Sequence, residues 1–373
     1  MLIISIVVIC IYLILLVWFS NNLFYNKKNN LTKSNEDLPK ISIVVAARNE
    51  EKNIAQLLNL LSTQNYLNDR YEIIIANDRS TDKTNKIIKK YENKFSNIKS
   101  IFIDQTPLGW GGKKWALTKA ISISSGDIIL QTDADCLPCK GWVRSMVSYF
   151  ENPKVGFVCG ASPLVHSDTF LNKMFIMESM IQESVNAGAI HSGLILSCTG
   201  RNIGFRKDLF NQVDGYIGHH TVLSGDDDLL LQKFALKTNC VVEYAIDKNS
   251  LIESFAPIGF LDFLKQRLRF SSKGLLYFQL KTTIEFKGII ILLYLVNILF
   301  IFNLFGMIYS MNLFFIIPIL MKMVADFLLS YIFMFKIQLN WSLIAYLILT
   351  LLHPFYIVII GTIGPFLKLD WKK

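Results

Sequence analysis

Charge is scarce in this 373-residue sequence: Asp, Glu, Lys and Arg make up 18% of it, against roughly 25% in ordinary soluble domains. Hydrophobic residues reach 52% and aromatic ones 13%, and the mean hydropathy is +0.38. These figures exclude a disordered chain, a collagen-like chain and a disulfide scaffold. The shortage of charge is uneven. From Gly288 to Ile363 only Lys322, Asp326 and Lys336 are charged, which predicts a membrane protein with a water-soluble middle rather than a purely soluble enzyme. Two nucleotide-binding signatures are also missing. No GxGxxG follows the first strand-like run, and no GxxxxGK[ST] occurs, which removes the Rossmann and P-loop readings. Cys136-Leu-Pro-Cys139 has no second Cys-x-x-Cys to complete a zinc site.

The first apolar run, Leu2 to Phe19, carries no charged side chain and is just long enough to cross a bilayer. Nothing basic precedes it and no small-residue cleavage site closes it, so it reads as an uncleaved anchor rather than a signal peptide. Lys27, Lys28 and Lys33 follow, placing the next segment in the cytosol by the positive-inside rule. The six cysteines then read as reduced thiols, and Cys136 and Cys139 as small buried or loop residues. Candidate spans at the other end are Ile289–Ile308, Leu313–Phe335 and Trp341–Ile363. One plus three spans would leave Lys368, Lys372 and Lys373 outside, against the positive-inside tendency.

Between the spans, strand-like and helix-like segments alternate. Ile41–Ala46, Glu72–Ala76, Ser100–Ile103 and Asp127–Gln131 are short, largely apolar runs suited to strands buried on both faces. Glu50–Ser62, Asp82–Phe95 and Lys114–Ile123 have helical spacing. The alternation predicts an α/β domain with a mostly parallel sheet, and ligands of such sheets bind beyond the carboxyl ends of the strands. Polar groups stand at those ends: Arg48-Asn49-Glu50 after the first, Asn77 to Asp82 after the second, Asp133-Ala134-Asp135 after the fourth. Each alone could be capping chemistry. Two carboxylates separated by one residue at a strand end also suit Mg²⁺ or Mn²⁺, which take oxygen ligands and are completed by substrate phosphates.

Taken in order, these motifs resemble the family 2 inverting glycosyltransferases of GT-A fold in their membrane-integrated form, a group that includes ceramide glucosyltransferases and cellulose, chitin and hyaluronan synthases. The resemblance covers about residues 39–275. It adds Gly112-Lys113-x-x-Ala116-Leu117, the loop Thr199-Gly200-Arg201-Asn202, the acidic cluster Gly225-Asp226-Asp227-Asp228-Leu229-Leu230, and Gln266-Arg267-Leu268-Arg269-Phe270. It implies that Asp78, with Arg48 and Glu50, holds the nucleotide. Asp133 and Asp135 would hold a divalent cation on the diphosphate, Asp133 also touching the nucleotide. Lys113 would approach that diphosphate, and Gln266, Arg267 and Arg269 would close over it. Asp227 would be the catalytic base, beside Asp226. Phe270 stands where the family usually has Trp, and Ala46-Ala47 where a Pro usually precedes the RNE.

The chemistry of transfer agrees. An acceptor hydroxyl must lose a proton as it attacks, so a carboxylate is wanted within reach. A departing diphosphate gathers negative charge, so a cation and basic side chains belong against it. Asp226 and Asp227, being adjacent, should raise each other's pKa, although acids at a helix N-terminus are also ordinary. The expected layout is an anchor at 1–20, a linker at 21–38, a cytosolic GT-A domain at 39–257, interfacial helices at 258–287 and a membrane region at 288–373. Lys265, Arg267, Arg269, Lys273, Lys281 and Lys287 fix the interfacial flank as cytosolic. Expected partners are a nucleotide sugar, UDP-linked in the family's usual manner, a lipid or glycan acceptor and membrane lipids, but no nucleic acid. A sugar-nucleotide-binding protein without turnover and a nucleotidyltransferase are the alternatives. His219 and His220 lack a mechanism that favours them, His353 suits packing in a helix bundle, and Lys322 and Asp326 could pair on one helix face.

Overall fold

The computed structural model describes residues 1–25, 38–165, 169–222 and 224–367. In chain order the strands are β1 (Ile41–Ala47), β2 (Tyr71–Asp78), β3 (Ile98–Ile103), β4 (Ile128–Asp133), β5 (Cys136–Pro138), β6 (Val155–Gly160), β7 (Leu164–Val165), β8 (Ile203–Arg206), β9 (Val241–Ala245) and β10 (Ile252–Phe255). The chain divides into two compact units, and all strands but β7 fall in the unit formed by the described residues of Lys28–Pro163 and Ser197–Phe255.

That unit is built on a seven-stranded sheet of order β3-β2-β1-β4-β8-β6-β9. The first four strands pair in parallel, and β9 is parallel to β6. The four-residue β8 runs antiparallel to both β4 and β6, so the sheet is mixed though mostly parallel. Strands β1 and β2 are buried almost throughout, as their unbroken apolar runs require. Helix Ile54–Ser62 buries Ile54, Leu57, Leu58 and Leu61 in one core with Ile43, Val45, Ile73 and Ile75 of the sheet. Register fixes the site: Ala46 of β1 lies opposite Asp133 of β4, and Ala47 lies opposite Asn77. The carboxyl ends of β1, β2 and β4 therefore share one edge.

The amino ends of the same strands have their own polar cluster. The Glu72 carboxylate accepts from the Ser42 hydroxyl at 2.7 Å, the Ser125 amide at 2.6 Å and the Ser125 hydroxyl at 2.8 Å. Lys99 Nζ adds an ion pair at 2.8 Å. All six cysteines are free thiols. Cys136 lies in the core, where burial pushes its thiol pKa well up, and the Cys139 thiol donates to the Asn249 carbonyl at 2.7 Å. Cys136 opens β5, which pairs antiparallel with β10, and Cys139 follows β5.

The other unit comprises the described residues of Met1–Lys27, Leu164–Leu196 and Ala256–Lys373. Four of its helices are long and apolar enough to cross a membrane: Leu2–Tyr25, Ile284–Ser310, Leu313–Lys336 and Leu343–Phe366. Lys27, Lys28 and Lys33, and the tail lysines Lys368, Lys372 and Lys373, lie outside the described residues. A further helix, Phe170–His191, packs against the helices that begin at Leu2, Ile316 and Leu343. The Gly188 side of it comes so close to Phe19 that an added Cβ would stand 2.8 Å from the Phe19 Cβ. Lys322 and Asp326, deep within one apolar helix, pair with each other, as hydrocarbon demands. Lys322 Nζ is 2.7 Å from Asp326 Oδ2, Tyr12 donates to the same carboxylate, and Asn303 reaches Ser5.

Candidate active site

Two loops build the floor of the site at the sheet's carboxyl edge. Asn49 and Arg79, which follow β1 and β2, adopt left-handed backbone conformations with φ of 55° and 54°. Asn tolerates this region, whereas Arg does so only when its surroundings compel it. The loops are stitched together. The Asn49 amide donates to Ser80 Oγ at 3.0 Å, and the Thr81 amide donates to Asn49 Oδ1 at 2.9 Å. The Glu50 amide reaches Thr84 Oγ1 at 2.8 Å, the Glu51 amide Asp82 Oδ2 at 3.0 Å, and the Lys83 amide Glu51 Oε2 at 3.1 Å. The RNE segment and the Asp78-to-Asp82 turn thus form one surface.

Asp78 ends β2 and is buried. Arg79 grips it with Nε at 2.7 Å and Nη2 at 3.1 Å. Its carboxylate packs on the first turn of helix Gly112–Ile123, where a Cβ on Gly112 would lie 2.7 Å from Asp78 Oδ2. Glycine at 112 is what admits the acid to that helix N-terminus, a favourable place for negative charge.

Lys113, one residue on, joins the two acidic motifs. Its ammonium lies 2.7 Å from Asp133 Oδ1 and 2.8 Å from Asp226 Oδ2. Burial disfavours its charge, but Asp133 and Asp226 outweigh burial and raise its pKa well above the usual lysine range. Asp226 responds in the opposite sense. Burial works to raise its carboxyl, yet Lys113, with help from Lys114, holds it down at about 2. For Asp226 this corrects the expected upward shift: Lys113, distant in sequence, outweighs the neighbouring carboxylate.

Asp226 Oδ2 also accepts from Gln131 Nε2 at 3.2 Å. That amide reaches the Gly200 carbonyl at 3.3 Å, and its oxygen takes the Tyr216 hydroxyl at 3.1 Å. Gln131 and Tyr216 were not anticipated, although a glutamine inside the buried run of β4 was the visible signal. Asp227 caps helix Asp228–Lys237, accepting from the Asp228 amide and from the Gly200 amide, both at 2.8 Å. The loop that carries Gly200 is held in turn by Asn202, which takes Trp142 Nε1–H at 2.9 Å and donates to the Ala161 and Ser250 carbonyls at 2.8 Å each.

Asp135 completes the edge. Burial raises its carboxyl pKa, Asp133 and then Glu50 raise it further, and Arg201 opposes them. Asp133, Asp135 and Glu50 thus gather negative charge on one edge, met in part by Lys113 at Asp133 and by Arg201. Among the described residues no group of three or more His, Cys, Asp or Glu side chains forms a metal cage. Two carboxylates are what Mg²⁺ ordinarily takes from a protein when substrate phosphates supply further oxygens, so Asp133 and Asp135 fit such an ion by donor chemistry. Arg48 follows β1 on the same edge. Gln266, Arg267 and Arg269 belong to the other unit, on helix Phe260–Ser271. There Arg267 is buried and paired with Glu178, with Nη1 3.2 Å from Gln182 Oε1, and Tyr356 donates to the same Glu178 at 2.8 Å.

Comparison with known proteins bears on this site. Residues 42–214 match the family described as "Glycosyl transferase family 2". The "Probable glycosyltransferase YdaM" of Bacillus subtilis is 30% identical over 204 residues, 54% of this chain and 48% of that protein. A "Beta-monoglucosyldiacylglycerol synthase" of Nostoc is 36% identical over 121 residues, 32% of this chain and 25% of that protein. The match thus spans less than half the length of either relative. Among solved structures, a mannosyltransferase from Pyrobaculum calidifontis in complex with GDP-Man and Mn2+ superposes with a TM-score of 0.62, covering 98% of both chains at 15% identity. That likeness is one of fold. Residues 42–214 thus match glycosyltransferase family 2, and the chain has a GT-A-like mixed sheet, one long apolar helix at the N-terminal end and three at the C-terminal end.

Proposed function

We propose that this chain is a membrane-integrated inverting glycosyltransferase that moves a sugar from a nucleotide sugar, UDP-linked by preference, to a lipid or glycan hydroxyl. The observation that carries the reading is the Lys113 bridge, which ties Asp133 at the end of β4 to Asp226 beside Asp227. It sets the acids suited to a diphosphate-bound cation beside the acids suited to proton removal. Asp133 and Asp135 are the residues to hold Mg²⁺ or Mn²⁺, which when bound would neutralise charge on the departing diphosphate.

Asp227 acts as the base in this reading. Its anchorage by two amides fixes the carboxylate's orientation, and a carboxylate offers about four acceptor directions, so anchoring is compatible with taking a proton from an acceptor hydroxyl. Lys113 stays protonated and balances the carboxylates before the donor arrives. Glu50, Asp78 and Arg48 line the nucleotide side. Gln266 and Arg269 are proposed to act on the diphosphate as in the family, whereas Arg267 is already held by Glu178 and Gln182. A lipid acceptor is supported by the four long apolar helices and by the diacylglycerol in the name of the Nostoc relative. The basic residues from Lys265 to Lys287 support a cytosolic face for the α/β unit. Mass spectrometry of lipids after incubating the purified protein with a panel of nucleotide sugars and Mn²⁺ tests the reading. A mass increase of one hexose or N-acetylhexosamine on a lipid, abolished by chelation, is expected. No product with any sugar or acceptor would overturn it.

A further inference from the structure

Lys114 follows Lys113 but engages a different part of the chain. It is 1% exposed. Its ammonium donates to the His219 carbonyl at 2.7 Å and to the Val222 and Ser224 carbonyls at 2.9 Å each. A lysine ammonium has three N–H donors, and taking it out of water is costly unless they are met. Here three backbone carbonyls of one short stretch meet them. The same stretch is tied to the start of the helix twice more. The Gly111 amide donates to the His220 carbonyl at 2.8 Å, and the Trp110 and His220 rings lie 4.8 Å apart. Immediately beyond Ser224 the backbone turns sharply at Gly225, with φ of 81°, and delivers Asp226 and Asp227.

We propose that Lys114 is a positioning residue for transfer: by tying His219, Val222 and Ser224 to helix Gly112–Ile123, it sets where Asp226 and Asp227 stand relative to Lys113 and Asp133. The inference rests on the proposed transferase reading and deepens it. Adjacent lysines then divide the work. Lys113 meets the carboxylates, and Lys114 fixes the backbone that carries one of them. A displacement of about 1 Å in such a group can cost on the order of 10²-fold in rate, so the clamp matters to chemistry without contacting a reactant.

The test compares the full chain with Lys114→Met and Lys114→Arg by transfer kinetics and by hydrogen exchange. In Lys114→Met, kcat should fall by about 10²-fold with the nucleotide-sugar KM within about threefold. Peptides covering 108–112 and 217–228 should exchange at least about tenfold faster, while β2 keeps its protection. Lys114→Arg, which keeps the charge and donors, should recover part of kcat and of loop protection. Should Lys114→Met fail to fold, Lys114→Arg alone must show slowed turnover and loosened exchange confined to those two peptides. Unchanged kcat, unchanged loop exchange, or loosening spread through the sheet would overturn the proposal. If the wild type transfers no sugar, the functional reading fails, and the exchange data still decide whether Lys114 holds this stretch.

Discussion

The two ends of the same parallel strands carry buried carboxylates paired with lysine, and they differ in how completely those acids are satisfied. At the amino ends, Glu72 is bound by Ser42, Ser125 and Lys99, and its carboxyl is held at about 2, burial being outweighed by those bonds. At the carboxyl ends, Asp226 is also held at about 2, by Lys113. The shift alone does not distinguish glue from site. What distinguishes them is charge balance. One acid meets one lysine at the amino ends. Asp133 and Asp226 share one ammonium at the carboxyl ends, and Asp135, beside Asp133 and Glu50, is pushed the other way, with its pKa raised. The first end holds the strands together, and the second, with more acid than cation, suits the proposed metal ion and donor.

The largest effect that would sharpen this contrast is expected at Asp227. Asp227→Asn preserves shape but cannot take a proton, so kcat should fall by about 10²–10⁴-fold with donor KM little changed. Steady-state kinetics with varied nucleotide sugar check this. If Asp226→Asn is the crippling change and Asp227→Asn is mild, the base is the residue gripped by Lys113.

Next comes Asp135→Asn. Loss of one charge-assisted ligand, worth about 1.5–3 kcal/mol, should weaken Mn²⁺-dependent binding of a nucleoside diphosphate by roughly ten- to a hundredfold, as titration calorimetry would read. Equal binding by variant and wild type would break the idea that this end is prepared for an ion.

A smaller change is expected at the satisfied end, and in stability rather than catalysis. Glu72→Gln should cost about 1–3 kcal/mol of unfolding free energy, measured by denaturant midpoint, while transfer kinetics of the folded protein stay as in the wild type. Because the folded carboxyl of Glu72 titrates at about 2 against an ordinary 4.5, its contribution is full above the ordinary value. It is lost as pH falls from there towards 2. The variant should therefore lack that part of the acid sensitivity. The smallest effect belongs to Cys139→Ser, whose activity should stay within about twofold of wild type, since this half-buried thiol only donates to a carbonyl. A large loss in a plain activity assay would restore a redox or metal role to the Cys-x-x-Cys.

Much of this was legible in the sequence, for a simple reason. Strands β1, β2 and β4 are continuous apolar runs, and helix Ile54–Ser62 has its apolar residues at helical spacing, so local chemistry alone announces them. The four apolar helices follow from length and absence of charge. The antiparallel β8 is only Ile203–Arg206, too short for pattern to reveal a direction. Lys113 and Asp226 are more than a hundred residues apart, so their pairing, which reverses the expected shift of Asp226, depends on the packing of helix Gly112–Ile123 against the acidic loop. Nothing in the sequence sets Lys114 apart from a surface lysine, since sequence records charge but not where a helix face is buried.

The stitched loops after β1 and β2 constrain how this protein can change. Each loop's backbone amides are answered by the other's side chains at fixed spacing, from Asn49 with Ser80 to Glu51 with Lys83. An insertion or deletion of one residue in either loop would put several of these bonds out of step together, so the two must vary as a pair.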